Sequence, residues 1–320
     1  MTRNLGWTEN LQDHIMCGPS VEVEDTITTA DVGRDPSYTR QAMEAYERSR
    51  TGPLAEGGTY SFAYQPLQML NSDVENAQLQ ALVEKHLQLE TVQSLPFPSQ
   101  KVQFDFISHA ISDLNEATAT IYLSRKQRHM DKSTPEEVNA ISSPEKYLSI
   151  IAMLSHPFSR GNVHIRSSDP AEKPAVDFKY LTHPLDVEIL ASHICSFRKL
   201  IACEPLASCV KPDGRRLPAS FPKAMESVEQ AKEMLLACAA TNYHPAGTCA
   251  MMSKELGGVV NERLVVYGTE NLRVCDASIM PIIPRGNFLS SVYAVAEKGS
   301  DIIKEDLRNG RARSAQQKLV

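Results

Sequence analysis

The chain has 320 residues, a formal net charge of -6 and a pI near 5.9, with 42% hydrophobic and 22% charged residues. That composition fits a soluble globular protein of one large or two ordinary domains. The mild acidity argues against nucleic acid as the main partner, because phosphate binding wants a basic face, and no apolar run approaches the ~20 residues of a membrane span.

The start of the chain, "MTRNLGWTENLQDH", lacks the apolar core of a secretory signal, which points to a cytoplasmic protein. "IMCGPSVEVED", running to about Asp31, alternates like a half-buried strand. "SYTRQAMEAYERSRTGP" predicts a helix capped by Ser37, with Met43 and Tyr46 on one face, stopped at Gly52-Pro53. "SFAYQPLQML" reads as a strand. Glu75 to Val92 is an amphipathic helix in which Leu79, Leu82, Val83 and Leu87 recur at helical spacing, and "SLPFPSQ" breaks it. "ATATIYLS" and "KYLSIIAMLSHP" have the β-branched and aromatic content of strands. The polar segment "RHMDKSTPEEVNAISSPE" between them reads as a loop, and the basic "LSRKQRH" before it as solvated surface.

Short strands follow around Val163–Arg166 and Ala175–Tyr180. A long helix opens at Pro184, and a second, "SVEQAKEMLLACAAT", leads into "NYHPAGTCAMM". "LRVCDAS" reads as a strand ending in Asp276. A last helix runs from Asn287 to about Leu307, and the segment after it is a polar tail. Short strands and helices without regular βαβ alternation make the fold α+β. We expect an antiparallel sheet flanked by helices.

Seven scattered cysteines without CxxC spacing read as reduced thiols. Cys238, His244 and Cys249 lie close in sequence, but no second ligand pair completes a zinc site, so no metal is expected. His244 sits in a turn held by Pro245 and Gly247. A histidine there can take a proton from a hydroxyl, but by spacing alone the ordinary turn residue is the favoured reading. Gly286-Asn287 opens an apolar helix, where free amides and the dipole suit a partly anionic group; by spacing alone Asn287 merely caps. Asp276 beside two small residues receives ligand hydroxyls or folds a turn. No GxSxG, GxxxxGK[ST], HExxH or GxGxxG occurs.

Taken together, "YHPAGTCAMM", "GGVVNERLVVYGTENLRVCDASIMP" and "RGNFLSSVYAVAEKGSDII", in this order and spacing, resemble the C-terminal signature of the glucose–methanol–choline (GMC) oxidoreductases. "PFSRGNVHIRSSDPAEKPAVDFKYLTHPLD" resembles the segment that opens that region, and "ENLQDHI", Glu9 to Ile15, the exit from the flavin domain. The resemblance spans Asn10 to about Lys304. It implies an FAD-domain exit over 1–14, a substrate domain over 15–241, an FAD-facing lobe over 242–310 and a polar tail over 311–320.

The resemblance also implies an activity: FAD-dependent oxidation of a CH–OH group in a small alcohol, as oxidase or dehydrogenase. His244 matches the catalytic base and Asn287 the second active-site position. Asp276 and Ala277 match residues that approach the flavin's ribityl-diphosphate, Asn287 and Phe288 the backbone facing its ring, and Tyr243 a wall of the substrate pocket. The family's glycine-rich unit that grips the ADP half of FAD has no counterpart in this sequence. That departure keeps two alternatives open: a flavin-free enzyme using His244 for isomerisation, dehydration or cyclisation, and a non-catalytic remnant. It also predicts an exposed apolar face, suited to a second copy or a separate N-terminal partner.

Overall fold

The computed structural model describes residues 9–27, 35–56, 59, 61–67, 72–92, 98–223 and 225–317. The architecture is α+β, as expected. Its centre is β5 (Tyr147–Leu154), an eight-residue strand buried along its whole length. An uninterrupted "YLSIIAML" run suits a strand covered on both faces. β4 (Ala119–Ser124) pairs with one edge of β5, and β3 (Ser61–Gln65) continues the sheet outward from β4. The other edge is shared along its length by β1 (Ile15–Cys17) and β2 (Ser20–Glu22). β9 (Ala240–Thr241) pairs with β1, and β8 (Arg216–Leu217) with β2. Every pairing in this seven-stranded sheet is antiparallel. A small hairpin, β6 (Asn162–His164) with β7 (Ala175–Asp177), stands apart from it.

The "IMCGPSVEVED" segment is therefore two strands, fully buried rather than half-buried. The division falls at Gly18-Pro19. Gly18 lies so close to β5 that an added Cβ would sit 2.0 Å from the Ile150 carbonyl oxygen. Residues 28–31 of the expected strand lie outside the described residues, as do 68–70 of the expected strand after Ser61.

Among the helices, α1 (Pro36–Ser49) is capped by Asp35, whose carboxylate accepts from the Ser37 amide at 2.7 Å; Ser37 itself is inside the helix. Its buried residue is Ala42, while Met43 and Tyr46 face solvent, so the expected Met43–Tyr46 face is the outer one. α2 (Asp73–Val92) follows its expected range. Val83 is buried and Leu79 and Leu82 pack on the core; the side chain of Leu87 lies outside the described residues.

α3 (Pro98–Ser112) has no counterpart in the sequence reading. The proline-rich stretch that stops α2 also starts α3, with Pro98 in its first turn. Gln103, Phe104, Ile107, Ser108 and Ile111 form its buried stripe. The polar 128–145 segment holds one short helix, α4 (Pro135–Val138), closed by a capping box between Thr134 and Glu137. α5 (Pro184–Ile201) and α6 (Val228–Cys238) pack together, and α5 lies on β5.

The main core draws on the sheet, α3, α5 and α6. Two smaller clusters lie in the C-terminal region: one around Val260, Leu264 and Ile302, one around Ala246, Ile283 and Phe288. "LRVCDAS" is not a strand. Within it, Arg273 makes a single bridge to Val265, and Asp276 caps a 3₁₀ turn, Ala277–Ile279. The segment has no long partner strand to pair with.

α7 (Leu289–Gln317) continues into the segment expected as a polar tail, of which 318–320 lie outside the described residues. Arg263 and Arg273 both grip Asp306 at 2.5 Å and pin the helix to the 261–273 loop. Its outer face exposes Leu289, Tyr293 and Leu307. Among the described residues no helix is long and apolar enough to cross a membrane, and no group of three or more His, Cys, Asp or Glu could hold a metal ion.

Candidate active site

β1 and β9 build the site between them. Their antiparallel register sets Ile15 opposite Thr241 and Met16 opposite Ala240. The residues just before β1 therefore run alongside those just after β9. The Asn242 amide donates to the His14 carbonyl at 2.9 Å, and Gln12 and Ala246 exchange two backbone bonds of 2.9 Å. The turn carrying His244 is thus clamped at both ends. Within it Tyr243 takes a left-handed backbone, φ 60°, and its amide donates to Thr241 Oγ1 at 2.8 Å. An aromatic residue in that region stores strain, which persists only where the surroundings hold it.

Asp13 is the second clamp. Its Oδ1 accepts from the His244 amide at 2.8 Å, and its Oδ2 accepts from Tyr180 Oη and Thr241 Oγ1, each at 2.5 Å. The carboxylate also lies beside the phenol of Tyr180, whose pKa it raises together with burial, the larger cause.

His244 Nδ1 lies 2.9 Å from His14 Nδ1. His14 is completely buried, and its Nε2 lies 3.1 Å from the Ser155 carbonyl oxygen. Burial first, and then the nearby His244, lower the His14 pKa to about 3, so the ring is neutral. A neutral ring facing a carbonyl with Nε2 must carry its proton there. His14 Nδ1 is then a lone pair, and the 2.9 Å contact requires His244 to donate from Nδ1. His244 is consequently the Nδ1–H tautomer, and its Nε2 is left as the basic nitrogen. Burial lowers the His244 pKa as well, opposed by the charge of Asp13.

Phe288 closes the cluster with its ring edge-on to His244, centroids 4.8 Å apart, and to His14 at 5.9 Å. Gly286, two residues earlier, is buried against the same ring: an added Cβ would lie 3.1 Å from His14 Nδ1 and 2.3 Å from Met153 Cε. Tyr64 Oη donates to the Gly286 carbonyl at 3.0 Å and ties β3 to this loop. Asn242 bridges the two candidate residues. Its amide nitrogen lies 3.4 Å from Asn287 Oδ1, 3.4 Å from His244 Nδ1 and 2.9 Å from Met153 Sδ. Asn287 is exposed. Its side chain meets Asn242, and the first intrahelical bond of α7 starts after it, from the Val292 amide to the Phe288 carbonyl at 3.0 Å.

His244, Asn287 and Phe288 therefore converge, with exposed Tyr243 at the rim. Ala277 joins them by packing on the cluster that holds Phe288 and by backbone: the Gly247 amide donates to the Ala277 carbonyl at 3.4 Å, and Cys249 to Ser278 at 2.8 Å. Asp276 Oδ1 accepts from the Ser278 amide at 2.8 Å, which is the turn-folding role. Asp13, His14 and Asn242 were not singled out from sequence. The one signal for the first two was their place in "ENLQDHI".

Residues 157–296 match the GMC oxidoreductase family. This stretch is a C-terminal GMC domain. A dehydrogenase of Armillaria gallica is 30% identical over 302 residues, covering 93% of this chain and 44% of the relative. Two solved structures are similar in fold. An FAD-dependent oxidoreductase from Chaetomium thermophilum has a TM-score of 0.75 at 22% identity, covering 95% of this chain and 49% of that one. A formate oxidase from Aspergillus oryzae has a TM-score of 0.73 at 26% identity, covering 95% and 48%. The GMC chain described here thus spans about half the length of the relatives it matches.

Proposed function

We propose that this GMC region supplies the proton-transfer half of an FAD-dependent enzyme that oxidises a CH–OH group of a small alcohol. One observation carries the reading: the contact of His14 Nδ1 with His244 Nδ1 at 2.9 Å, which leaves His244 Nε2 as a base.

The described residues suit the ring end of FAD rather than its ADP end. The amides of the first turn of α7, Leu289 to Ser291, have no intrahelical acceptor and lie at the positive end of the helix dipole. Asn287 and Phe288 would face the ring there. Asp276, exposed and with Oδ1 already used by Ser278, would offer Oδ2 to ribityl hydroxyls. No glycine-rich phosphate loop occurs among the described residues. FAD, when bound, supplies the acceptor for the hydride leaving the alcohol carbon.

The chain's own residues manage the proton. His244 Nε2 takes it from the hydroxyl while Nδ1–H stays fixed on His14. The imidazolium that results is stabilised by the Asp13 charge. Asn287 contributes a donor: its Oδ1 faces Asn242, so its NH₂ is free to hold the substrate oxygen. Donors aimed where negative charge develops lower the barrier most when the site is already organised.

The test is anaerobic bleaching of added FAD by a panel of primary alcohols, with the purified chain and with His244→Ala. The reading expects alcohol-dependent bleaching that His244→Ala slows by roughly 10²- to 10⁴-fold. A flavin spectrum unchanged by the chain and by every alcohol overturns it.

A further inference from the structure

A second feature lies beside the loop that leads into Asn287. It is an open groove of about 510 Å³ between α3, His156 shortly after β5, and Pro284-Arg285. The size suits a ligand of one or two rings. α3 presents Phe106 and His109 from the face away from its buried stripe, with Ala110 at the edge of that stripe and Asp113 just past the helix end. Phe106 is 51% exposed, as is Val102 on the same helix. Its ring meets His156 edge-on at 5.8 Å. Phe106, Ala110 and Pro284 give the groove an apolar wall.

The polar groups of the groove have an uneven inventory. His156 Nδ1 lies 2.8 Å from the Ile283 carbonyl oxygen, so Nδ1 carries the proton and Nε2 is a lone pair. No hydrogen bond to that Nε2 occurs among the described residues. Burial lowers the proton affinity of this ring, which keeps it neutral. His109 repeats the pattern, with Nδ1 held 2.6 Å from the Asp105 carbonyl oxygen. Asp113 uses Oδ1 on the Asn115 amide and side chain, leaving Oδ2. The one strong donor, Arg285, is paired through its guanidinium end with Glu116, and its buried Nε has no hydrogen-bond partner among the described residues. The rim thus holds several acceptors and one cation already neutralised by a carboxylate.

We propose that this groove is a binding site for a neutral hydroxylated aromatic compound. The ring lies against Phe106 and Pro284, and a phenolic O–H donates to His156 Nε2. A carboxylate or phosphate would bring acceptors to a rim already rich in them. The groove shares no side chain with the His244 cluster, so its occupancy is read without any turnover there.

The experiment is calorimetric or NMR titration of the purified chain with three probes that carry no oxidisable alcohol: 4-methylphenol, 4-methylanisole and 4-methylbenzoate. The phenol should bind about tenfold more tightly than its methyl ether, the gain of one hydrogen bond to a desolvated acceptor, and the benzoate most weakly. His156→Asn keeps a donor for Ile283 and deletes the groove acceptor; it should erase the phenol preference. Phe106→Ala, at an exposed position, should weaken phenol and ether together, and His244→Ala should change neither. Equal affinity for phenol and ether, no binding of the phenol at millimolar concentration, or a preference that survives His156→Asn overturns the proposal. A loss of phenol binding in His244→Ala also overturns it, by moving the ligand to the other site.

Discussion

His14 and His244 meet Nδ1 to Nδ1 at 2.9 Å across 230 residues of chain. Two imidazoles in that contact need one donor and one acceptor, and the Ser155 carbonyl decides which is which by claiming the proton of His14 Nε2. A buried ring with no catalytic contact of its own thereby sets the tautomer of the ring at the site.

His14 should therefore act as a positioning residue. His14→Leu removes the acceptor, and we expect the rate of alcohol oxidation to fall about 10- to 100-fold, the equivalent of a charge-assisted hydrogen bond of roughly 1.5–3 kcal/mol. His14→Asn, whose amide oxygen can stand where Nδ1 stood, should recover part of it. The decisive readout is nitrogen NMR of His244: the native ring should show the proton on Nδ1, and His14→Leu a mixture of tautomers. An unchanged tautomer in His14→Leu would refute the assignment.

Asp13 should set where His244 titrates. Burial lowers the His244 pKa and Asp13 raises it, with burial the larger effect, so the acid limb of kcat/KM should fall below pH 6.5. Asp13→Asn removes the charge that favours imidazolium, and the limb should move further toward acid. The amide also places an NH₂ among three donors, His244 N–H, Tyr180 O–H and Thr241 O–H. That should cost on the order of 1–3 kcal/mol of stability in urea unfolding. A limb that moves to higher pH would contradict this picture.

Much of this was legible in the sequence because it is local. The continuous apolar run of β5, the proline-led start of α5 and the turn around His244 each lie within a few residues. α3 was hidden because its start coincides with the breaker that ends α2. Asp13 and His14 were hidden for another reason. Their partners lie 231 and 230 positions away, and only the β1–β9 register brings them together. "LRVCDAS" misled because its apolar Leu272, Val274 and Cys275 look like part of a strand, while the bonds of a strand need a neighbour.

Gly286 should be intolerant of a side chain. A Cβ there meets Met153 Cε at 2.3 Å and His14 Nδ1 at 3.1 Å. The methionine tip can swing, but Met153 is fully buried and His14 is fixed by Ser155. Gly286→Ala should cost roughly 1–3 kcal/mol by overpacking and disturb the His14–His244 contact. Met153→Ala in the same chain should restore the His244 tautomer in NMR, although the double variant keeps a stability deficit. Failure of the second substitution to restore it would mean that the backbone, not the methionine, gives way.

His193 gives the molecule a measurable acid sensitivity. It lies on α5, fully buried, with Nε2 2.8 Å from Thr118 Oγ1 and no hydrogen-bond partner for Nδ1 among the described residues. Burial lowers its pKa from 6.5 to about 4. Above pH 6.5 both folded and unfolded chains hold it neutral, and it contributes no pH dependence. Between pH 6.5 and about 4 the unfolded chain binds a proton that the folded chain refuses, so stability falls as pH falls, by about 1.4 kcal/mol per pH unit for each such group. His14, held at about 3, adds a second group over a wider window. His193→Gln preserves a polar partner for Thr118 and removes the titration. Its unfolding free energy should fall less steeply than that of the native chain between pH 6 and pH 4.5, by close to one proton in slope. Equal slopes in urea unfolding across that range would show that His193 is already protonated, or already exposed, in the folded chain.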